Sequence, residues 1–456
     1  MLKKQLAALL LFVLFFTLPL TALGASLDEV RDVVKDNYVG DINGNLDRAK
    51  SIPELMNMLD PYSTYFTADE FERFNNGVEL TSVGIGVAIE KVDSGIKITQ
   101  LFDGGSAKNA GLKVGDIITA VESTSTTVLS IDQASSLIQG KAGTSVTLTI
   151  LREDGTILKK ILVRKAFSLP NVTTDLLYGN VGYISLSSFS NDTASLVSKA
   201  IRDLKNKGAK AFVFDLQNNG GGYVTAAEQL IGMFPNAAYA YKLKETKTTS
   251  NVRALKQATQ FPENTKVLIN ESSASASEMT AAALLDQNAA TLYGKKSYGK
   301  GAMQGFFELE DGSFLKLTIA EFSGPNGTAI NHVGVNPHVI TSSNAIYKAH
   351  FDTIASNLFN YQEIASLKKV SVNKTFTVTF SKAIVSKLDP TAVQLVELGG
   401  NEVASTFNVS GDKLLVTPNQ PLTAGKEYMV VIHPKVKTPS GQSLKKGVYL
   451  HVTVAK

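Results

Sequence analysis

Between residues 180 and 340 apolar strand segments alternate with amphipathic helices, and no other feature limits the fold as strongly. GYISLSSF reads as a strand, and DTASLVSKAIRDLKNKG as a helix with Leu196, Ala200, Ile201 and Leu204 on one face. KAFVFDL is a buried strand, followed by NNGGG and the helical YVTAAEQLIGMF. KVLIN is another strand, then comes the helix SASEMTAAALLDQ and the strand ATLYGK. Strands this apolar need cover on both faces, and strand–helix alternation supplies it. The segment therefore predicts an α/β core with a largely parallel sheet.

The remaining chain differs in pattern, and 456 residues are enough for about three domains. Residues 25–78 carry helical periodicity, through Leu27, Val30, Val33 and Val34 and then Ile52, Leu55, Met56 and Leu59, before the turn-rich LDPYSTYFT in which Pro61 stops the helix. Residues 79–166 alternate as short strands broken by Gly and Asp-Gly turns, with one helix near 132–139. Residues 167–345 contain the α/β core, and 346–367 are expected to be a linker. In 368–456 short alternating strands return between Asp-Pro, Ala-Gly and Ser-Gly turns, which predicts an immunoglobulin-like β-sandwich.

Residues 1–24 begin with Lys3 and Lys4, run through apolar residues and end in small ones, with Ala22 and Gly24 at the −3 and −1 positions. This is the pattern of a secretory signal peptide; the alternative is a retained membrane anchor. Either one places the chain outside the cytoplasm, as a secreted or cell-surface protein. From Lys368 onward there are twelve lysines and five acidic residues, so the tail is a separate basic unit. The whole chain carries only +4, too little to argue for nucleic acid. It has no Cys, which excludes a thiol nucleophile, and five scattered His, which suggest no metal site and no cofactor. Hydroxyl, carboxylate and amine chemistry remain.

The Ser-rich turn from Asn270 to Glu278 joins a buried strand to a helix. A hydroxyl there meets the unpaired N–H groups of a helix start, where negative charge is stabilised; the plainer reading is an N-cap. A helix from about residue 276 to Asp286 carries the chain roughly 16 Å away. A strand over about 291–296 brings it back roughly 20 Å, to Ser-Tyr-Gly-Lys300-Gly. Lys300 can then face Ser275 and take its proton if burial lowers the lysine pKa, although a solvated loop lysine, or a role for Lys295 or Lys296, satisfies the same spacing. The Asp215–Gly222 turn, with three glycines, can bring backbone N–H groups to a substrate carbonyl or can be a tight turn only.

Together SASASE (273–278), GKG (299–301), DLQNNGGG, GSAKNAGLKVGDIITAV (105–121) and LDPYSTYFT resemble the C-terminal processing, or tail-specific, serine peptidases over roughly residues 26–340. The resemblance implies a multidomain α/β plus β architecture: a helical N-terminal segment, a PDZ domain over 79–166 and a protease core of the ClpP/crotonase-like type. It places the nucleophile at Ser275, the general base at Lys300 and a supporting amide at Gln304. The oxyanion donors fall on the backbone N–H groups of Ala276 and Gly221, and Asp286 takes a supporting or structural place. Gly84, Ile85, Gly86 and Val87 match the carboxylate-binding loop, so the implied partners are proteins or peptides with unstructured C-termini. Arg152 is a candidate coupler between PDZ domain and core.

Three positions depart from the pattern: Gln217 stands where the family has arginine, Gly220 where it has proline, and Asn336-Pro337-His338 where Pro-Asp is common. The tail resembles bacterial immunoglobulin-like surface domains, a candidate for contact with anionic wall polymer. The competing reading is a catalytically silent peptide-binding scaffold. Oligomeric state is not readable from the sequence.

Overall fold

The computed structural model describes residues 25–129, 131–245 and 248–456. The expected signal peptide, 1–24, lies outside the described residues. The chain divides into two compact units, residues up to 71 with 304–318, and residues 72–303 with 319–456.

In the first unit the helix Leu27–Asn37 opens where Ser26 Oγ accepts the Glu29 N–H at 3.0 Å, a side-chain cap for an otherwise unpaired donor. Val30 and Val34, one turn apart, are its buried face. A 3₁₀ turn Leu46–Arg48 and the short helix Ile52–Met56 follow. The expected turn at LDPYST forms around Asp60, whose Oδ1 accepts the N–H groups of Tyr62 and Ser63 at 2.8 and 2.9 Å. It leads into a strand the periodicity did not reveal, Thr64–Phe66, paired antiparallel with Lys316 to Phe314.

In the second unit a six-stranded antiparallel sheet has the order Val87–Val92, Gly95–Leu101, Ile117–Val121, Ser145–Leu151 and Ile157–Val163, with the short Thr124–Ser125 also paired to Ile117–Val121. Period-two alternation puts Val146, Leu148 and Ile150 on one face, where they pack with Ile96, Ile98 and Ile118 against the helix Ile131–Ile138. Arg152 does not couple this module to the core. Its Nη2 donates to Gly111 O at 2.6 Å and its Nε lies 3.3 Å from Asp116 Oδ1, both inside the module.

The α/β core has a six-stranded sheet in the order Val172–Leu177, Val181–Leu186, Ala211–Asp215, Lys266–Ile269, Thr291–Gly294, Val339–Ile340. The first pair is antiparallel and the others are parallel, as the apolar strands predict. The helices Thr193–Asn206, Val224–Ile231 and Ala276–Asp286 pack one face around Phe212, Phe214 and Phe261. Full burial of such side chains is worth roughly 1.5–3 kcal/mol each.

The other face is covered by a helix where a linker was expected. Ala345–Ala355 buries Ala345, Ile346 and Ala349 against Leu177, Val181, Val213 and Leu268. Its polar residues misled the pattern because several of them are consumed inside the protein. His350 Nδ1 accepts the Gly399 N–H at 2.9 Å and its Nε2 donates to Tyr178 O at 2.8 Å, a neutral tautomer whose burial lowers the pKa.

Gly399 belongs to the β-sandwich. One sheet of that domain contains Val393–Glu397, Glu427–Ile432 and Gly447–Val454, with Tyr361–Glu363 and Leu367–Val370 both parallel to the last. The other contains Phe376–Thr379, Lys413–Pro418 and Ser405–Ser410. Phe351 and Ile354 pack on Val396, Leu398, Met429 and Val431, so the sandwich is docked on the core through an apolar contact.

Candidate active site

The strand Lys266–Ile269 delivers the chain to the Ser-rich turn, and hydrogen bonding separates the serines there. Ser273 Oγ donates to Leu216 O at 2.8 Å and Ser277 Oγ to Asn219 O at 2.8 Å; both residues are fully buried. Their hydroxyls hold the turn against the Asp215–Gly222 loop. Ser275, between them, is half-buried with φ 56° and ψ −112°, a backbone conformation that strains any residue with a Cβ. It precedes the helix Ala276–Asp286, so its side chain sits at the positive end of the helix dipole.

Glu278 organises this turn. It is fully buried, and its carboxylate accepts four hydrogen bonds. Oε2 takes the N–H of Ser275 at 2.9 Å and the N–H of Lys300 at 2.7 Å. Oε1 takes Ser297 Oγ and the N–H of Gly299, both at 2.6 Å. A carboxylate at the third helical position bonding back to the residue before the helix is one half of a capping box. Here the same group also fixes the lysine loop. The sequence carried the signal, Ser-x-x-Glu, but its second set of partners comes from 19 to 22 residues downstream.

The expected return path is present: after the helix, Thr291–Gly294 runs back along the sheet and the Tyr298 N–H donates to Ser273 O at 3.0 Å. Among the three candidate lysines, Lys295 is ion-paired with Glu271 at 2.8 Å and Lys296 is exposed. Lys300 is half-buried and is the one tied by its backbone to Glu278. The flanking glycines have a steric reason. A Cβ on Gly301 would stand 2.5 Å from Asn331 N, and Gly299, at φ +103°, receives the His332 N–H on its carbonyl at 2.8 Å. Gln304 lies in the first unit, on the strand Ala302–Glu308, where its amide donates to Thr318 Oγ1 at 3.3 Å.

Gly221 meets the serine turn directly. A Cβ there would be 2.9 Å from Ser275 Cβ and 3.0 Å from Ala276 N, at φ +107°, so only glycine fits. Its N–H, expected to face the oxyanion, instead donates to Asn219 Oδ1 at 2.9 Å. Asn219, fully buried, also donates to Leu186 O at 2.9 Å and takes the Ala274 N–H on its carbonyl at 3.0 Å. In the sequence Asn219 is marked only by its place in the Asp215–Gly222 turn. Ala276 is buried as the first residue of the helix.

Behind the loop, burial raises the Asp215 carboxyl to about 6; Tyr183 OH donates to it at 2.7 Å and the Gln217 N–H at 2.8 Å. Both donors, a phenol hydroxyl and a backbone amide, are neutral. Asp286 lies at the far end of the helix Ala276–Asp286 and takes the Asn326 N–H at 2.8 Å and the Thr328 hydroxyl, holding the 324–328 turn.

In the β module Gly84, Ile85, Gly86 and Val87 line a small cavity of about 50 Å³ with Ile89, Ser135, Ile138 and Phe167, between the strand Val87–Val92 and the helix Ile131–Ile138. Ile85 O accepts the Ala107 N–H at 2.8 Å, and Gly86 packs so closely on Gly105 that a Cβ on either would reach 2.5 Å from the other's Cα. Among the described residues no cluster of three His, Cys, Asp or Glu could hold a metal ion.

A strained serine at a helix start and a lysine loop bound to the same buried carboxylate, with a glycine loop against the serine turn, give the core the layout of a serine hydrolase, beside a β module. Comparison with known families makes this specific: residues 180–341 match Peptidase family S41, residues 97–152 a PDZ domain, and residues 363–452 a Bacterial Ig-like domain. A relative from Staphylococcus aureus (strain bovine RF122 / ET3-1), described as "Probable CtpA-like serine protease", is 33% identical over 324 residues, covering 69% of this chain and 64% of the relative. One of the same description from Staphylococcus epidermidis is 34% identical over 315 residues, covering 68% and 63%. The chain thus spans somewhat under two thirds of these relatives. A solved structure of a photosystem II D1 C-terminal processing protease superposes with TM-score 0.44 at 24% identity, over 69% of this chain and 92% of that one.

Proposed function

We propose that the chain is a secreted or cell-surface serine endopeptidase that engages protein C-termini through its PDZ domain and cleaves with a Ser275–Lys300 dyad. The observation that supports this reading is the single oxygen Glu278 Oε2, which accepts the backbone N–H groups of both residues and so ties the serine turn to the lysine loop.

An unstructured C-terminus adds as a strand beside Val87–Val92, its carboxylate over the Gly84–Val87 loop. Lys300, as the neutral amine, takes the proton of Ser275 Oγ while that oxygen attacks the scissile carbonyl carbon. The tetrahedral oxyanion is met by the Ala276 N–H at the helix start and by the Gly221 loop. The protonated lysine then gives its proton to the departing amine, leaving an acyl-enzyme. Water, deprotonated by Lys300, hydrolyses that ester and restores Ser275. Because the Gly221 N–H is bound to Asn219 Oδ1, completing the oxyanion site requires this bond to open, which makes the working state one that substrate induces.

The same closed bond favours one alternative, a peptide-binding scaffold without turnover. The two separate in one experiment: residues 25–456 incubated with an unfolded protein ending in apolar residues, beside Ser275→Ala and Lys300→Ala. Cleavage by the wild type alone supports the dyad. Unchanged cleavage by either variant sinks it, and folded, peptide-binding wild type without cleavage leaves the scaffold.

A further inference from the structure

The basic character of the Ig-like domain is concentrated at one end. The segments 382–391 and 433–446 together hold six lysines, Lys382, Lys387, Lys435, Lys437, Lys445 and Lys446, against one acid, Asp389. All six are exposed. Backbone bonds set the two segments against each other: the Val385 N–H donates to Lys437 O at 2.9 Å, and Lys437 pairs with Ser443 across a tight turn. Between them is a cleft of about 590 Å³, lined by Lys387 and Asp389 of one segment and by Pro434, Lys435, Lys437 and Ser443 of the other, so three lysines stand against one carboxylate.

The position of this cleft matters as much as its charge. The strand Val393–Glu397 runs from the Lys387 segment to Leu398–Gly400, the turn that docks on the core through Gly399 and His350. The partner strand Glu427–Ile432 runs the other way and ends just before Lys435. The lysines therefore occupy the end of the sandwich opposite to the docked turn; near that end the Tyr178 hydroxyl donates to Gln394 Oε1, and Lys435 Nζ donates to Thr391 Oγ1 at 2.5 Å. At the docked end the balance differs, and Lys426 is paired with Glu397 at 2.8 Å.

We propose that this cleft is a binding site for a linear phosphate-bearing polymer, held by Lys387, Lys435 and Lys437. Lysine is a flexible point charge suited to phosphate oxygens that repeat along a chain. Lysines from two segments that line one concavity receive a strand between them, whereas a flat lipid surface meets lysines on a convex or planar face. Nucleic acid is disfavoured because the cleft offers no aromatic side chain on which a base could stack. Three phosphate contacts give a binding constant that falls with salt at a logarithmic slope of about −2. The inference does not depend on the peptidase reading.

The test measures binding of inorganic polyphosphate to residues 25–456 by fluorescence anisotropy across a salt series, with orthophosphate, a single-stranded oligonucleotide and anionic vesicles as rivals. The triple variant Lys387→Ala, Lys435→Ala, Lys437→Ala should weaken polyphosphate binding at least tenfold and flatten the salt slope. The control triple Lys368→Ala, Lys413→Ala, Lys456→Ala removes the same charge elsewhere and should keep binding within twofold. Thermal melts establish that both variants fold. Equal weakening by the two triples overturns the site, since net charge alone then accounts for binding. Absence of polyphosphate binding by the wild type overturns it too, as does tighter binding of vesicles, oligonucleotide or orthophosphate than of polyphosphate.

Discussion

Ser275 and Lys300 present their backbone N–H groups to the same oxygen, Glu278 Oε2, at 2.9 and 2.7 Å. Twenty-five residues separate them in sequence, and one buried carboxylate joins them. The other oxygen takes Ser297 and Gly299, so Glu278 has acceptors only where acceptors are needed.

Glu278→Gln tests that arrangement with little change in volume. An amide turns one acceptor oxygen into a donor NH₂ facing two other donors, at a cost of about 1–3 kcal/mol per buried group left unsatisfied. Turnover should fall at least tenfold with the loss in kcat rather than KM, and fluorophosphonate labelling of Ser275 should slow in parallel. Wild-type kcat in this variant would show that Glu278 does not position the dyad.

Adjacent glycines should respond in opposite ways. Gly221→Ala drives a Cβ to 2.9 Å from Ser275 Cβ at a positive φ, whereas a Cβ on Gly220 meets nothing within 4 Å. Cleavage should drop on the order of a hundredfold in the first, the scale of losing an oxyanion donor. The second should stay near wild type in the same cleavage assay.

Two buried titratable groups give opposite pH dependences. Asp215 has its pKa raised to about 6 by burial, so between about pH 4 and 6 the unfolded chain loses its proton first. Stability from this group is full below its unfolded pKa and declines as pH rises through that window, by roughly 2–3 kcal/mol. Asp215→Asn should remove that slope, read from urea midpoints at pH 4 and 7.

His350 runs the other way. Burial lowers its pKa, so its contribution is present above the unfolded value and is lost as pH falls below it. Protonation at Nδ1 would also repel the Gly399 N–H that donates there. His350→Ala leaves that N–H and Tyr178 O without their partner, at about 1–3 kcal/mol each, and a lower urea midpoint at pH 8 is the expected reading.

The chain should be a poor substrate for itself. Its last strand, Gly447–Val454, is hydrogen-bonded on both edges, and the Ala455 N–H still donates to Val370 O at 2.9 Å. Wild type incubated with the Ser275→Ala chain should leave it intact by mass spectrometry, while an unstructured apolar extension after Lys456 should be trimmed away. Loss of the native strand from the Ser275→Ala chain would contradict this.

Much of this molecule was legible in the sequence because its signals are local. The apolar strands Ala211–Asp215 and Lys266–Ile269, the amphipathic Thr193–Asn206 and the alternating Ser145–Leu151 each carry a period that neighbouring residues alone set. The helix Ala345–Ala355 was hidden in a stretch read as a linker, since its burial depends on a sheet face and on a domain that follows it. The strand Thr64–Phe66 was hidden for a similar reason, as its partner lies some 250 residues on.

The site divides along the same line. The residues able to do chemistry are legible along the chain: a Ser-rich turn before a helix, a lysine one helix and one strand later, and glycines that allow close backbone approach. The fold chose among them. It spent the hydroxyls of Ser273 and Ser277 on carbonyls of the Asp215–Gly222 loop, sent Lys295 to Glu271, and left Ser275 and Lys300 on one carboxylate. It also turned the Gly221 N–H onto Asn219. A hydrogen bond is made where donor and acceptor meet in space, and the sequence specifies the donors long before the fold specifies who meets whom.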